Sequence, residues 1–230
     1  FSDSLKKWLE ENKNLQPEVK NYVLNWIKAG LQDWDITRDL SWGIPIPLEE
    51  AKGKVFYGWF DNHLCYISTT LKYLNEKDVD GKKFWNSSTI YHFIGKDIVY
   101  HHYLFLPAMR LGEGEFALPH FIPTRGHLLL QGQKFSKSRG WYVSLRDFLN
   151  LFPADYLRYY LTSITTYSSS DVNFAWEEFQ ARINNELIAN IGNFIHRTLT
   201  FIWTRRSGKV PSAKTYDELD TEFKEKMTKI

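Results

Sequence analysis

The stretch STIYHFIGKDIVYHHYLFLPAMR, Ser88 to Arg110, decides the fold class. Its first eight residues, Ser88 to Gly95, are rich in β-branched and aromatic side chains and predict a strand. Gly95-Lys96-Asp97 follows, and then Ile98, His102, Phe105, Leu106 and Met109 recur at helical spacing. An earlier run, KVFYGWFD from Lys54 to Asp61, reads as another strand, with a helix from about Asn62 to Leu74. Strand, helix, strand, helix predicts an α/β chain built on a parallel sheet. Ligands of such sheets gather at the carboxyl ends of the strands, which singles out Asp61 and the segment Gly95 to Asp97. Gly95 allows close approach of a ligand to the backbone. Asp97 can cap the helix or accept hydrogen bonds from ribose hydroxyls. Spacing alone leaves His102 either as a satisfied core histidine or as a side chain facing a ligand.

Upstream, residues 3 to 31 read as helical, with a break at Pro17, and Asp33 to Pro47 as an extended connector rich in turn formers. Downstream lies LLLQGQKFSKSRGWYVSL, Leu128 to Leu145, which places Lys134, Lys137 and Arg139 at a bend flanked by Gly132 and Gly140. Such a bend is either a solvated basic loop or a seat for a strongly anionic group, because lysine ammoniums on flexible stems can follow phosphate oxygens. Ser144 with Asp147 forms a capping box for a helix through about Leu151. Pro153 opens the next helix, carrying Tyr156, Leu157, Tyr160, Leu161 and Ile164. One long helix is predicted from about Phe174 to Thr204. The chain is thus α/β first and all-α afterwards.

Composition excludes several function classes. Of 230 residues, 43% are hydrophobic and 17% aromatic, enough for a packed core and against wholesale disorder. A formal net charge of +2 excludes a polycationic nucleic-acid coat but permits a local basic patch. Cys65 is the only cysteine, which rules out an intrachain disulfide and a cysteine zinc cluster and fits a reducing, cytoplasmic setting. No His/Cys/Asp/Glu set has metal-ligand spacing, and no run approaches the roughly 20 apolar residues of a membrane helix. The first residues lack the pattern of a signal peptide. The chain opens without methionine inside a helical pattern and stops inside another, so it is expected to be a piece of something longer.

Taken together, these segments resemble the class I aminoacyl-tRNA synthetases, most closely the methionine enzymes of archaeal and eukaryotic type. KFSKS, Lys134 to Ser138, is similar to the family's Lys-Met-Ser-Lys-Ser loop. DITRDLSWGIPIP resembles a segment shared by the methionine, leucine, isoleucine and valine members, and FIGKDIVYHHYLFLPAMR is characteristic of the methionine enzymes. FPADYLRYYL and WEEFQARINNELIANIGNFIHR continue the likeness, which runs in order from about Leu31 to Trp203. The resemblance implies the second half of a Rossmann-type catalytic domain over residues 1–125. It further implies a linker with the lysine loop over 126–172 and the start of an anticodon-binding helical bundle over 173–230. It assigns Lys134 and Lys137 to the ATP phosphates, with Ser136 and Ser138 in the same loop. Gly95 and Asp97 fall to the ATP ribose, and Trp59, Tyr66, Ile98 and His102 to a methionine pocket. Asn193 and Arg197, four apart on one helix face, fall to the tRNA anticodon. The implied cofactors are ATP and magnesium, with no zinc site; the implied partners are methionine, tRNA and an amino-terminal catalytic half.

The chain also departs from the family pattern. Where the family has Ala-Pro-Ile-Gly after the Trp-x-Asp of the pocket segment, this chain has Asn62-His63-Leu64-Cys65. Leu106 stands where a tryptophan is common. The His-Ile-Gly-His motif, which polarises the ATP phosphates in the family, occurs nowhere in the 230 residues. Two other readings are therefore expected to compete with a portion of the synthetase. One is a tRNA-binding or split-gene subunit needing an amino-terminal partner; the other is a paralogue with an altered amino-acid pocket.

Overall fold

A computed structural model describes residues 1–210, 212 and 215–228. The chain divides into two compact units, residues 1–142 with 164–173, and residues 143–163 with 174–230.

The first unit opens with α1 (Ser2–Glu11) and α2 (Pro17–Ala29). Pro17 occupies the first turn of α2, where its missing N–H costs nothing, and Gly30 ends the helix at a φ of 95° that a side chain would resist. The helices bury Leu5, Leu9, Val19 and Val23. β1 (Thr37–Arg38) pairs antiparallel with β2 (Val55–Phe56), Thr37 facing Phe56.

The strand expected over Lys54 to Asp61 stops at Phe56. From Gly58 the chain turns helical through α3 (Gly58–Asp61), a 3-10 turn at Asn62–Leu64 and α4 (Cys65–Asn75). A short aromatic run is ambiguous between strand and helix. Here contacts four residues apart prevail: Phe56 stacks on Phe60 at 5.4 Å, and Trp59 tilts against His63 at 6.4 Å.

Asp80 caps α5 (Gly81–Ser87) by accepting from the Lys83 amide at 3.0 Å. β3 (Ile94–Gly95) then runs parallel to β4 (Thr124–Arg125), Ile94 against Thr124 and Gly95 against Arg125, with Tyr91 bridging to Phe121 further up. The parallel pair is therefore real, but its partner is β4, not the Lys54 segment. Between them lie a 3-10 turn at Lys96–Ile98, a wide π turn at His101–Phe105 and α6 (Leu106–Glu113). Tyr103, fully buried, donates its hydroxyl to the Ile122 carbonyl at 3.1 Å, and the Thr124 amide donates to the Gln16 side chain at 2.6 Å. The core packs Leu5, Leu9, Val19 and Val23 of the amino-terminal helices against Ile94, Val99, Tyr103, Leu104 and Ile122.

β5 (Leu128–Leu130) and β6 (Gln133–Lys134) form a hairpin, and β7 (Val172–Phe174) lies on the other side of β5. The turn, Gln131-Gly132, has positive φ at both positions, 51° and 77°, matching the twist of the two strands.

The second unit is mainly helical: α7 (Leu145–Leu151), α8 (Ala154–Ile164), α9 (Trp176–Arg182), π turns at Ile183–Gly192, α10 (Asn193–Arg206) and α11 (Glu218–Thr228). Of the expected capping box the N-cap half is present, the Ser144 hydroxyl accepting from the Asp147 amide at 3.3 Å; among the described residues the reciprocal bond to the Ser144 amide is not made. The long helix expected from Phe174 begins at Trp176, because Phe174 ends β7. An aromatic cluster of Phe148, Tyr160, Phe174 and Phe179 holds this unit, with Tyr160 edge-on to Phe179 at 5.5 Å.

Candidate functional site

Gly95 ends β3, and a Cβ there would run into the Asp97 carboxylate, so glycine is what lets that side chain fold back over the strand end. Asp97 is exposed and, among the described residues, accepts no hydrogen bond; it does not cap the turn it sits in. It faces a cleft of about 480 Å³ whose walls include Glu18, Tyr22, Thr124 and His127. Lys96, between them, is committed elsewhere: its ammonium lies 2.7 Å from Asp171, whose carboxylate also accepts from the His127 amide at 2.7 Å. Lys96, with the His127 amide, holds the Asp171 carboxyl below the usual carboxylate range.

One turn beyond, the four expected pocket residues meet. His102 is 1% exposed. Its Nδ1 lies 3.1 Å from the Ile98 carbonyl, which can only accept, so Nδ1 carries the proton. Nε2 therefore presents its lone pair to Tyr66, whose hydroxyl donates at 2.9 Å. Burial holds His102 below the ordinary histidine range and pushes the Tyr66 phenol up, so both are uncharged near neutral pH. Trp59 flanks this pair through His101, ring centres 4.5 Å apart. The result is a neutral, aromatic wall with a fixed hydrogen-bond direction.

That wall contains more histidine than His102 alone. His63, His92 and His101 join it, His63 lying 5.0 Å and His92 5.7 Å from the His102 ring. Burial pushes His63 and His92 down to about 4. Sequence reasoning missed this cluster because its members come from three separate segments. The signal was nonetheless visible in Asn62-His63, the pair that departs from the family's Ala-Pro.

The basic stretch is a second, tight hairpin. Ser136 and Trp141 exchange amide bonds at 2.8 and 2.9 Å, Gly140 turns at a φ of 68°, and the Trp141 indole donates to the Leu130 carbonyl at 3.1 Å. Ser136 and Ser138 touch through their hydroxyls at 3.3 Å. Lys134, Lys137 and Arg139 are exposed, and among the described residues none has an ion-pair partner. The hairpin is anchored by Gly132, whose amide donates to the Asn173 side chain at 2.7 Å. Asn193 and Arg197 belong to the second unit, exposed on α10. Among the described residues no group of three or more His, Cys, Asp or Glu side chains could hold a metal ion, and no helix is long and apolar enough to cross a membrane.

Comparison with known proteins gives a consistent picture. The family model for class I tRNA synthetases (M) matches residues 1–199. The methionine–tRNA ligase of Methanopyrus kandleri is 49% identical over 227 residues, covering 98% of this chain and 34% of that protein. The corresponding ligase of Methanosphaera stadtmanae is 45% identical over 227 residues, covering 99% and 33%. The chain thus spans about a third of the length of these relatives. The structure of Mycobacterium tuberculosis methionyl-tRNA synthetase bound by methionyl-adenylate superposes with a TM-score of 0.81 at 26% identity, covering 97% of this chain and 43% of that one. By sequence over nearly its whole length and by fold, the chain belongs to the methionine family of class I tRNA synthetases.

Proposed function

We propose that this chain is a portion of a methionyl-tRNA synthetase. In this reading residues 1–125 are the second half of a Rossmann-type catalytic domain. Residues 126–172 are the linker with the lysine loop, and 173–230 begin an anticodon-binding bundle. In the parent reaction a carboxylate oxygen of methionine attacks the α-phosphorus of ATP, the bond from that phosphorus to the bridging oxygen breaks, and pyrophosphate leaves. A ribose hydroxyl of tRNA then attacks the methionyl carbonyl carbon, its bond to the phosphate oxygen breaks, and AMP leaves.

The observation that carries the reading is the hydrogen-bonded line from Tyr66 to His102 to the Ile98 carbonyl, one turn past Gly95 and Asp97 at the end of a parallel strand. Trp59, Tyr66, Ile98 and His102 take the methionine side chain, the neutral pair offering a direction to its sulfur without a charge to desolvate. Gly95 leaves room for the ribose, and the free Asp97 carboxylate accepts from its hydroxyls. Lys134 and Lys137, without an ion-pair partner among the described residues, stabilise the charge that builds on departing pyrophosphate, with Ser136 and Ser138 shaping the loop. Magnesium, when bound with the triphosphate, would neutralise part of its charge. Asn193 and Arg197 face the anticodon. In a complete enzyme a His-Ile-Gly-His half, which does not occur in these 230 residues, supplies the opposing phosphate contacts.

Methionine-dependent ATP–pyrophosphate exchange tests this. The chain alone should exchange at background, and pairing it with a His-Ile-Gly-His segment should restore exchange. In that pair Lys137→Ala should lower the rate by roughly 10²-fold with methionine affinity little changed. Full exchange by the chain alone, or an unchanged rate in Lys137→Ala, would refute it.

A further inference from the structure

The proposed amino-acid pocket carries buried hydrogen-bonding atoms that no described residue answers. His63 is 2% exposed, yet among the described residues its Nε2 has no partner, and neither ring nitrogen of His101 has one. The rings converge on one place: His63 lies 5.8 Å from His101 and 5.0 Å from His102, and His101 lies 4.5 Å from Trp59. Buried polar atoms are almost always satisfied, and an unsatisfied group at a recognition site points to a ligand that satisfies it. A neutral imidazole can present either an N–H or a lone pair, so the rings adapt to a donor or an acceptor. They cannot adapt to a hydrocarbon, which would displace water and return nothing. A charged side chain would have to give up its hydration to enter a wall of aromatic and neutral rings.

We infer that His63 and His101 are specificity-determining residues of the amino-acid pocket, and that the pocket selects an uncharged side chain of methionine length bearing a hydrogen-bonding atom. The inference rests on the assignment of this wall to the amino-acid site. A purely apolar isostere is rejected because it leaves three buried nitrogens unpaired. Methionine, whose thioether is a weak acceptor, sits between the apolar isostere and an analogue with a stronger acceptor.

The test is ligand-observed NMR on the chain itself with L-norleucine, L-methionine and L-methionine sulfoxide. Methionine sulfoxide should bind at least tenfold tighter than norleucine, a gap of ~1.4 kcal/mol. In His63→Phe with His101→Phe the gap should collapse towards one, through tighter norleucine binding. Equal binding of norleucine and the sulfoxide by the native chain overturns the inference and leaves the site assignment standing. A gap that survives both substitutions does the same. Failure of all three to bind overturns the assignment and the inference with it.

Discussion

Acidification from about pH 7.5 to about pH 4.5 should destabilise the first unit through two buried histidines, His63 and His92. They are 2% and 7% exposed, and burial is the largest cause holding each ring down at about 4 against an ordinary 6.5. Above pH 6.5 both rings are neutral in the folded and the unfolded chain, and nothing changes. Below it the unfolded chain takes up protons that the folded chain refuses, so stability falls with pH until about 4, where the folded rings also protonate. At ~1.36 kcal/mol per pH unit, one ring contributes roughly 3 kcal/mol over that window. The two contributions are not simply additive. His102 lowers both rings and His92 lowers His63, so the second proton is harder to place than the first. Against a typical domain stability of roughly 5–15 kcal/mol, the loss is large. Two carboxylates with lowered values act below the window. Asp35, held down by the Thr37 amide and hydroxyl, and Asp171, held down by Lys96, lose their contributions only as pH falls below the ordinary 3.8. The assay is urea denaturation followed by tryptophan fluorescence in half-unit pH steps, with imidazole 15N shifts recorded on the native chain. His63→Leu should flatten the slope, and His63→Leu with His92→Leu should flatten it further. A native chain whose stability is constant between pH 6.5 and 4.5, or a double variant with the native slope, would refute the reasoning.

Two further perturbations probe the scaffold of the lysine hairpin. A Cβ at Gly126 would meet the Ser170 carbonyl and the Asp171 amide, backbone atoms that cannot swing aside; Gly126→Ala should therefore cost roughly 1–3 kcal/mol, seen as a lowered Tm. Asp171→Asn removes the carboxylate shared by Lys96 and the His127 amide; protection of that amide in hydrogen exchange should drop roughly tenfold, with a change in Tm of only about a degree or two.

What could be read from the residues follows a physical rule. Of the strand expected over Ser88 to Gly95 only its end was legible: the chain is regular strand at Ile94–Gly95, and upstream, among the described residues, it touches the sheet only through the Tyr91–Phe121 bridge. Its partner β4 was not legible: Thr124–Arg125 is two residues long, and its pairing depends on contacts some thirty positions away in sequence. The Lys54 run misled because aromatics three and four apart serve a helix as well as a strand. At the site, Gly95, Asp97 and His102 could be singled out locally, since a strand end and a helix period place them. The wide turn at His101–Phe105, which brings two consecutive histidines to one wall, has no signature in spacing. Nor does the convergence of His63 and His92 on His102, which the folded chain alone creates.

The same unit buries the titratable rings of one candidate segment and exposes the cationic side chains of another. Around His102, burial removes charge: four imidazoles are all held below the ordinary histidine range, and Tyr66 keeps its proton. At the hairpin three cationic side chains, Lys134, Lys137 and Arg139, stand exposed in solvent. Lys96 separates the two regimes. Its position next to Gly95 and Asp97 makes it look like another phosphate ligand, but its 2.7 Å contact with Asp171 spends its charge on fixing the strand end to the segment before β7. A cation already paired gains little from a second anion, whereas an unpaired one gains the whole interaction. Phosphate binding should therefore depend on Lys134 and Lys137 and be nearly indifferent to Lys96, a division of labour that follows from which lysines the protein has already satisfied.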